Sequence, residues 1–180
     1  MKQLFTSAFT MVAAAISLQA APVNIKITNV HMCCPSCVKG AEKAAAGVPG
    51  VSAMADQQTG YVNLAGPDFP TVQKAADALM AAGYFGNSNE LTDINGKPLI
   101  KMTDQSGATG TKVKSLKVQG VHLCCAKCVK AVTAALATVP GVTTNTAAKG
   151  ATSFEISGDF NDKAVFAALQ KAGLTGKIGK

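Results

Sequence analysis

Two stretches of this chain align without a gap at a constant offset of 91 residues: VHMCCPSCVKGAEKAAAGVPGV from Val30 and VHLCCAKCVKAVTAALATVPGV from Val121. Further on, AAGYFG ending at Gly86 matches KAGLTG ending at Gly176, an offset of 90. A duplication with one small insertion or deletion explains both offsets. Self-similarity of this kind sets the architecture before any residue is weighed, because each copy must form its own supersecondary unit.

Each copy carries the same order of elements. Val23, Ile25 and Ile27 alternate with Asn24, Lys26 and Thr28, the pattern of a half-buried strand, and Leu116 and Val118 alternate likewise with Lys117 and Gln119. A cysteine loop follows. Val38, Ala41, Ala45 and Val48 then mark one helical face, and Val129, Val132, Leu136 and Val139 repeat its spacing. Pro49-Gly50 and Pro140-Gly141 stop those helices. Two short strands flank a turn, over 51–55 and 61–64 in the first copy and 142–147 and 153–156 in the second. A second helix is expected over 71–82 and over 162–172, with Gly83 and Gly173 where a left-handed cap belongs. A final short strand closes each copy. The expected fold is α+β, two tandem ferredoxin-like βαββαβ domains.

The division that follows is a signal peptide over 1–20, a first domain over 21–90, a linker over 91–110 and a second domain over 111–180. Lys2 starts the leader, 4–18 are largely apolar, and Ala20 and Ala21 offer cleavage after either residue. The run is interrupted by Thr6, Ser7, Thr10 and Ser17, so it falls short of the roughly 18 apolar residues of a membrane anchor. The product is expected to be periplasmic or secreted, with no stable membrane insertion after cleavage. The linker, LTDINGKPLIKMTDQSGATG, lacks a sustained period and suggests a short hairpin at Asn95-Gly96. As a flexible chain of about 20 residues it would span about 25 Å, enough for the two cysteine loops to face one another.

Domains of roughly 70 residues bury only about 60% of their unfolded surface, so modest cores of Ala, Val, Leu and Ile are expected. The net charge is +7, yet all 17 basic residues are Lys and none is Arg. Arg is the side chain that reads bases and phosphates in bidentate fashion. Its absence, and the scatter of the lysines, argue against nucleic acid as a partner.

All six cysteines fall in the two loops: Cys33, Cys34 and Cys37, then Cys124, Cys125 and Cys128. Both histidines, His31 and His122, stand two positions before the first Cys of each loop. Cys-x-x-Cys at a loop-to-helix junction turns two sulfurs to one side, close enough to hold one ion. Free N–H groups and the dipole at the helix start favour thiolates, and Lys39, Lys43, Lys127 and Lys130 add positive charge nearby. Two thiolates suit Cu(I), Zn, Cd or Hg, not Ca or Mg. The histidines read first as solvated loop residues, and Met32 as core.

At these residues the chain resembles the heavy-metal-associated (HMA) domains. Met32-Cys33-Cys34-Pro35-Ser36-Cys37 looks like the Met-x-Cys-x-x-Cys loop of that family, and GVPGV and the Ala-Gly-Tyr ending at Tyr84 look like family features. The family includes copper chaperones, the modules of metal-transporting ATPases and the periplasmic mercury-binding protein. The resemblance implies a ferredoxin-like fold with Cys34, Cys37, Cys125 and Cys128 as ligands. The chain departs from the pattern in an extra Cys at Cys33 and Cys124, in His31 and His122 where Gly is usual, and in Leu123 and Leu174 in place of Met and Tyr. Cys33 and Cys124 are therefore either third ligands or passive neighbours.

The expected function is an exported, non-enzymatic binder of a soft or borderline metal ion, Cu(I) favoured and Zn, Cd or Hg possible. It would act as chaperone, carrier or scavenger through a Cys-Cys-x-x-Cys loop in each domain. Expected partners are the ion itself and a metal-transporting membrane protein or another metal-binding domain. The alternatives are a thiol–disulfide oxidoreductase, which also uses Cys-x-x-Cys at a helix start, and a structural disulfide-bonded pair of domains, since oxidation competes with metal outside the cytoplasm.

Overall fold

Alternation along Val23–Ile27 sends Ile25 and Ile27 into the core and leaves Asn24 and Lys26 exposed, so strand β1 (Val23–Ile27) has one face to bury. The computed structural model describes residues 22–88 and 99–179. The leader expected over 1–20 and the hairpin at Asn95-Gly96 lie outside the described residues. After β1 come α1 (Pro35–Ala46), β2 (Ser52–Asp56), β3 (Tyr61–Gly66) and α2 (Phe69–Ala81). The second half runs β4 (Lys112–Gln119), α3 (Ala126–Ala137), β5 (Val142–Asn145), β6 (Ser153–Asn161), α4 (Asp162–Lys171) and β7 (Lys177–Ile178). Among the described residues the chain is thus α+β, with two antiparallel sheets and four helices. No helix among them is long and apolar enough to cross a membrane.

The sheets are ordered β1-β3-β2 and β5-β6-β4-β7. Among the described residues, the strand expected to close the first half is one antiparallel bridge, Thr28 with Asn87, whose two amides exchange hydrogen bonds of 2.9 and 2.8 Å. In the second half the equivalent pairing is a strand of two residues, β7 beside β4. Strand β6 runs five residues past its expected end at Ile156, because pairing with β4 resumes beyond a bulge and continues to Lys112 opposite Asn161. Asn161 then caps α4, its side-chain oxygen accepting from the N–H groups of Lys163 and Ala164, as Asp68 caps α2 through the Thr71 N–H.

Helices pack on one face of each sheet. Ile27, Val62 and Leu64 meet Ala41 and Ala45 of α1 and Val72 and Leu79 of α2, all fully buried. Val118, Ile156 and Phe160 meet Val132, Leu136, Phe166 and Leu169 in the second half. Burial of each larger apolar side chain contributes about 1.5–3 kcal/mol. Both sets belong to one continuous cluster, since the halves touch through a pair of helix ends. Gly83 (φ +89°) and Gly173 (φ +78°) follow α2 and α4 in the left-handed conformation that their caps require. Each then lies against the cysteine-loop entry of the opposite half. The Gly173 carbonyl accepts from the N–H of His31 and of Phe85 (both 3.1 Å), the Gly83 carbonyl accepts from Thr175 N–H (3.0 Å), and Tyr84 bridges Leu174.

Residues 99–110 lie along this assembly rather than swinging between its halves. Ile100 is buried, and its carbonyl accepts from the Ser88 hydroxyl at 2.6 Å. Gln73 of α2 exchanges two hydrogen bonds with the Lys101 backbone (2.8 and 2.9 Å). The Asp162 carboxylate accepts from the N–H groups of Thr109 and Gly110, and Ile178 N–H donates to the Ser106 carbonyl. The facing of the two loops therefore rests on direct contact between the halves.

Candidate metal centre

Helices α1 and α3 begin alike. Cys34 and Cys125 are their N-cap residues in extended backbone, and Pro35 enters the first turn of α1, where its missing N–H costs nothing. One turn on, Cys37 and Cys128 point into the core and are fully buried. Cys33 and Cys124 precede the caps on extended chain, where neighbouring side chains diverge. That divergence decides their partners. Cys33 Sγ lies 3.3 Å from Cys125 Sγ and 3.4 Å from Cys128 Sγ. Cys124 Sγ lies 3.5 Å from Cys34 Sγ and 3.4 Å from Cys37 Sγ. The extra cysteine of each loop thus reaches the Cys-x-x-Cys pair of the other.

Contacts within a loop span a similar range: Cys34–Cys37 3.4 Å, Cys125–Cys128 3.8 Å, Cys33–Cys37 3.8 Å and Cys124–Cys128 3.7 Å. Cys37 and Cys128 meet at 3.9 Å across the approximate twofold that relates the halves. All six expected site residues are brought into one cluster of free thiols.

The histidines are half-buried beside this cluster, where the sequence suggested solvated loop positions. His122 stacks on Tyr84, ring centres 4.6 Å apart, and the Tyr84 hydroxyl donates to the Cys37 carbonyl at 2.9 Å. His31, its counterpart, has a buried Nε2 without a hydrogen-bond partner. The residue equivalent to Tyr84 is Leu174, which offers no hydroxyl. Potential ligand atoms of His31, Cys33 and Cys128 lie within 4.8 Å of one another, as do those of His122, Cys37, Cys124 and Cys128. The signal for this placement was present in the sequence, since both histidines occupy the same loop position. Met32 and Leu123 are buried, as an apolar tether should be. Lys39, Lys43, Lys127 and Lys130 are exposed.

The thiols divide electrostatically. The N–H of Cys128, then the Cys33 thiol, hold Cys125 down to about 6. Partial burial pushes Cys34 up, but the N–H and thiol of Cys37 and the thiol of Cys124 outweigh it, and the net shift is downward. Burial pushes Cys33, Cys124 and Cys128 well above the ordinary thiol range. Burial also lowers both histidines, which favours neutral imidazole. A donor set of six clustered cysteine sulfurs, two of them thiolate-prone caps, fits a soft cation, which displaces thiol protons on binding. Limiting alkylation of the reduced protein at pH 7 is expected to label Cys125 first and Cys34 next, because the thiolate is the nucleophile. Peptide mapping that found Cys33 or Cys128 labelled as fast would contradict this division.

No family model matches the sequence, and no curated protein matches it. Among solved structures, the solution structure of the N-terminal soluble domains of Bacillus subtilis CopA is similar at 16% identity, covering 88% of this chain and 95% of that one, with a TM-score of 0.31.

Proposed function

We propose that the protein is an exported soft-metal binder, a chaperone, carrier or scavenger, built as two tandem ferredoxin-like βαββαβ domains over 21–90 and 111–180 joined by 91–110. Its ligands are Cys33, Cys34, Cys37, Cys124, Cys125 and Cys128. The observation that carries this reading is the convergence of six thiols, from two loops 91 residues apart, on one cluster with sulfurs 3.3–3.9 Å from their neighbours. Such a grouping leaves few roles besides metal or disulfide chemistry. Thiolates select soft ions, so Cu(I) leads and Zn, Cd and Hg follow. A metal-transporting membrane protein or another metal-binding domain would receive the ion by ligand exchange at Cys34 or Cys125, the two cap sulfurs shifted toward the thiolate.

The low Cys125 and raised Cys128 are also the pattern of a thiol–disulfide oxidoreductase. One preparation separates the readings. Protein recovered anaerobically from the exported fraction of its native host is expected to start at Ala21 or Pro22, to carry a soft metal by elemental analysis, and to reduce insulin disulfides weakly or not at all. An intact Met1 in the cytoplasm would remove the export. Insulin turnover like that of a thioredoxin, without bound metal, would put the redox reading first.

A further inference from the structure

The sulfur positions define a solid figure. Nine pairs lie within 3.3–3.9 Å. Three more, Cys33–Cys34, Cys34–Cys125 and Cys124–Cys125, fall within 4.8 Å. In these twelve pairs every sulfur has four neighbours, and each is left with a single opposite: Cys33 with Cys124, Cys34 with Cys128, Cys37 with Cys125. Twelve edges joining six points in this way are the edges of an octahedron. An octahedron has eight triangular faces, and four alternate ones share no edge while using every vertex twice.

We propose that these six thiolates hold a cluster of four Cu(I) ions, one on each of four alternate faces, each ion in trigonal coordination and each sulfur bridging two ions. This rests on the reading of the site as a binder of soft metal. A metal–sulfur bond of about 2.3 Å with the ion in the plane of three sulfurs needs a face edge of about 4.0 Å. Nine of the twelve edges, at 3.3–3.9 Å, lie just inside that and the other three lie within 4.8 Å, so loading requires the edges to even out by shifts of less than about an ångström. Cu(I) suits such a site because it is soft and accepts three thiolates, whereas Zn seeks four ligands in a tetrahedron.

The charges also close. Counted from six neutral thiols, six S–H bonds break and six protons pass to solvent, each Cu(I) gives up its incoming ligands, and twelve copper–sulfur bonds form without change of oxidation state. Six thiolates and four Cu(I) leave a cluster of charge −2. Whichever alternate set is filled, three of its four faces draw sulfurs from both loops. Cys33 and Cys124 are then integral vertices, and the cluster forms only with the halves together. This gives the extra cysteine of each loop its role.

The test is anaerobic titration of the fully reduced mature chain with Cu(I) supplied as its acetonitrile complex, followed by native mass spectrometry and copper-edge X-ray absorption. The metal-free and four-copper forms are expected to dominate, with intermediates minor. Three sulfurs per copper are expected, with a copper–copper distance near two-thirds of the face edge, about 2.7 Å for bonds of about 2.3 Å. Cys33→Ser and, separately, Cys124→Ser each strip one ligand from two ions, so each should still bind copper but lose the four-copper form. Wild type that stops at one or two coppers, with no copper–copper scattering, would overturn the cluster and leave the soft-metal reading standing. Wild type that takes up no copper, mercury or zinc would overturn both.

Discussion

Gly173→Ala is expected to destabilise the protein by about 3 kcal/mol or more and to part the two thiol loops. A Cβ on Gly173 would stand 2.5 Å from the Asn29 carbonyl oxygen, 2.5 Å from the His31 nitrogen and 3.1 Å from the Val30 carbonyl carbon. All three are backbone atoms, so no side chain can turn aside, and relief requires the halves to separate. The left-handed φ of +78° adds a conformational cost to the steric one. Gly83→Ala should behave alike, since its Cβ would meet Gly120 O and His122 N, each at 2.5 Å. Gly107→Ala is the control. It has a φ of +81° but nothing within 4 Å of a built Cβ, so it reports the conformational cost alone. Urea unfolding would measure all three. A Gly173→Ala midpoint no lower than that of Gly107→Ala would mean that the helix-end contact does not hold the halves together. Because the sulfurs nearest Cys33 and Cys124 belong to the opposite loop, Gly173→Ala should also weaken metal binding without touching a ligand.

Copper loading is expected to raise the thermal midpoint by about 8–16 °C. A ligand at a thousand times its dissociation constant stabilises the folded state by about 4 kcal/mol. Each kcal/mol moves the midpoint of a chain this size by about 2–4 °C. Free cysteines of the unfolded chain also bind copper, which sets the gain below what the folded affinity alone would give. The comparison is calorimetry of reduced protein with Cu(I) and after removal of the metal by a strong Cu(I) chelator. Identical midpoints would show that the thiol cluster does not clamp the halves.

Much of the architecture was legible in the sequence because it depends on local periods. The alternation at Val23–Ile27 and the helical spacing of Ala41 and Ala45 place those side chains in the core, and Gly83 and Gly173 occupy the left-handed positions their caps require. Element ends were less legible. Strand β6 extends to Asn161 because its pairing with β4 resumes past a bulge, a matter of register with a strand some 40 residues away. Among the described residues the closing strand of the first half is the Thr28–Asn87 bridge, and the two-residue β7 of the second half exists only through its pairing with β4.

The sequence by itself singled out the residues that come together in the fold. Six cysteines and two histidines at repeated positions, in loops that open helices, leave few uses other than soft metal or disulfide. Successive side chains on extended backbone lean to opposite sides, so the sulfur before each cap is free to seek a partner outside its own loop. Where the diverging sulfur goes was decided only by tertiary structure. The approach of Gly83 and Gly173 to the opposite loop entries sets Cys33 beside Cys125 and Cys128, and Cys124 beside Cys34 and Cys37. It also half-buries His31 and His122 beside the cluster. The contact of each helix end with the opposite loop entry is built from backbone atoms and absent side chains, which carry no periodic signal, so two cysteine loops became one cluster by a step that no pattern in either copy records.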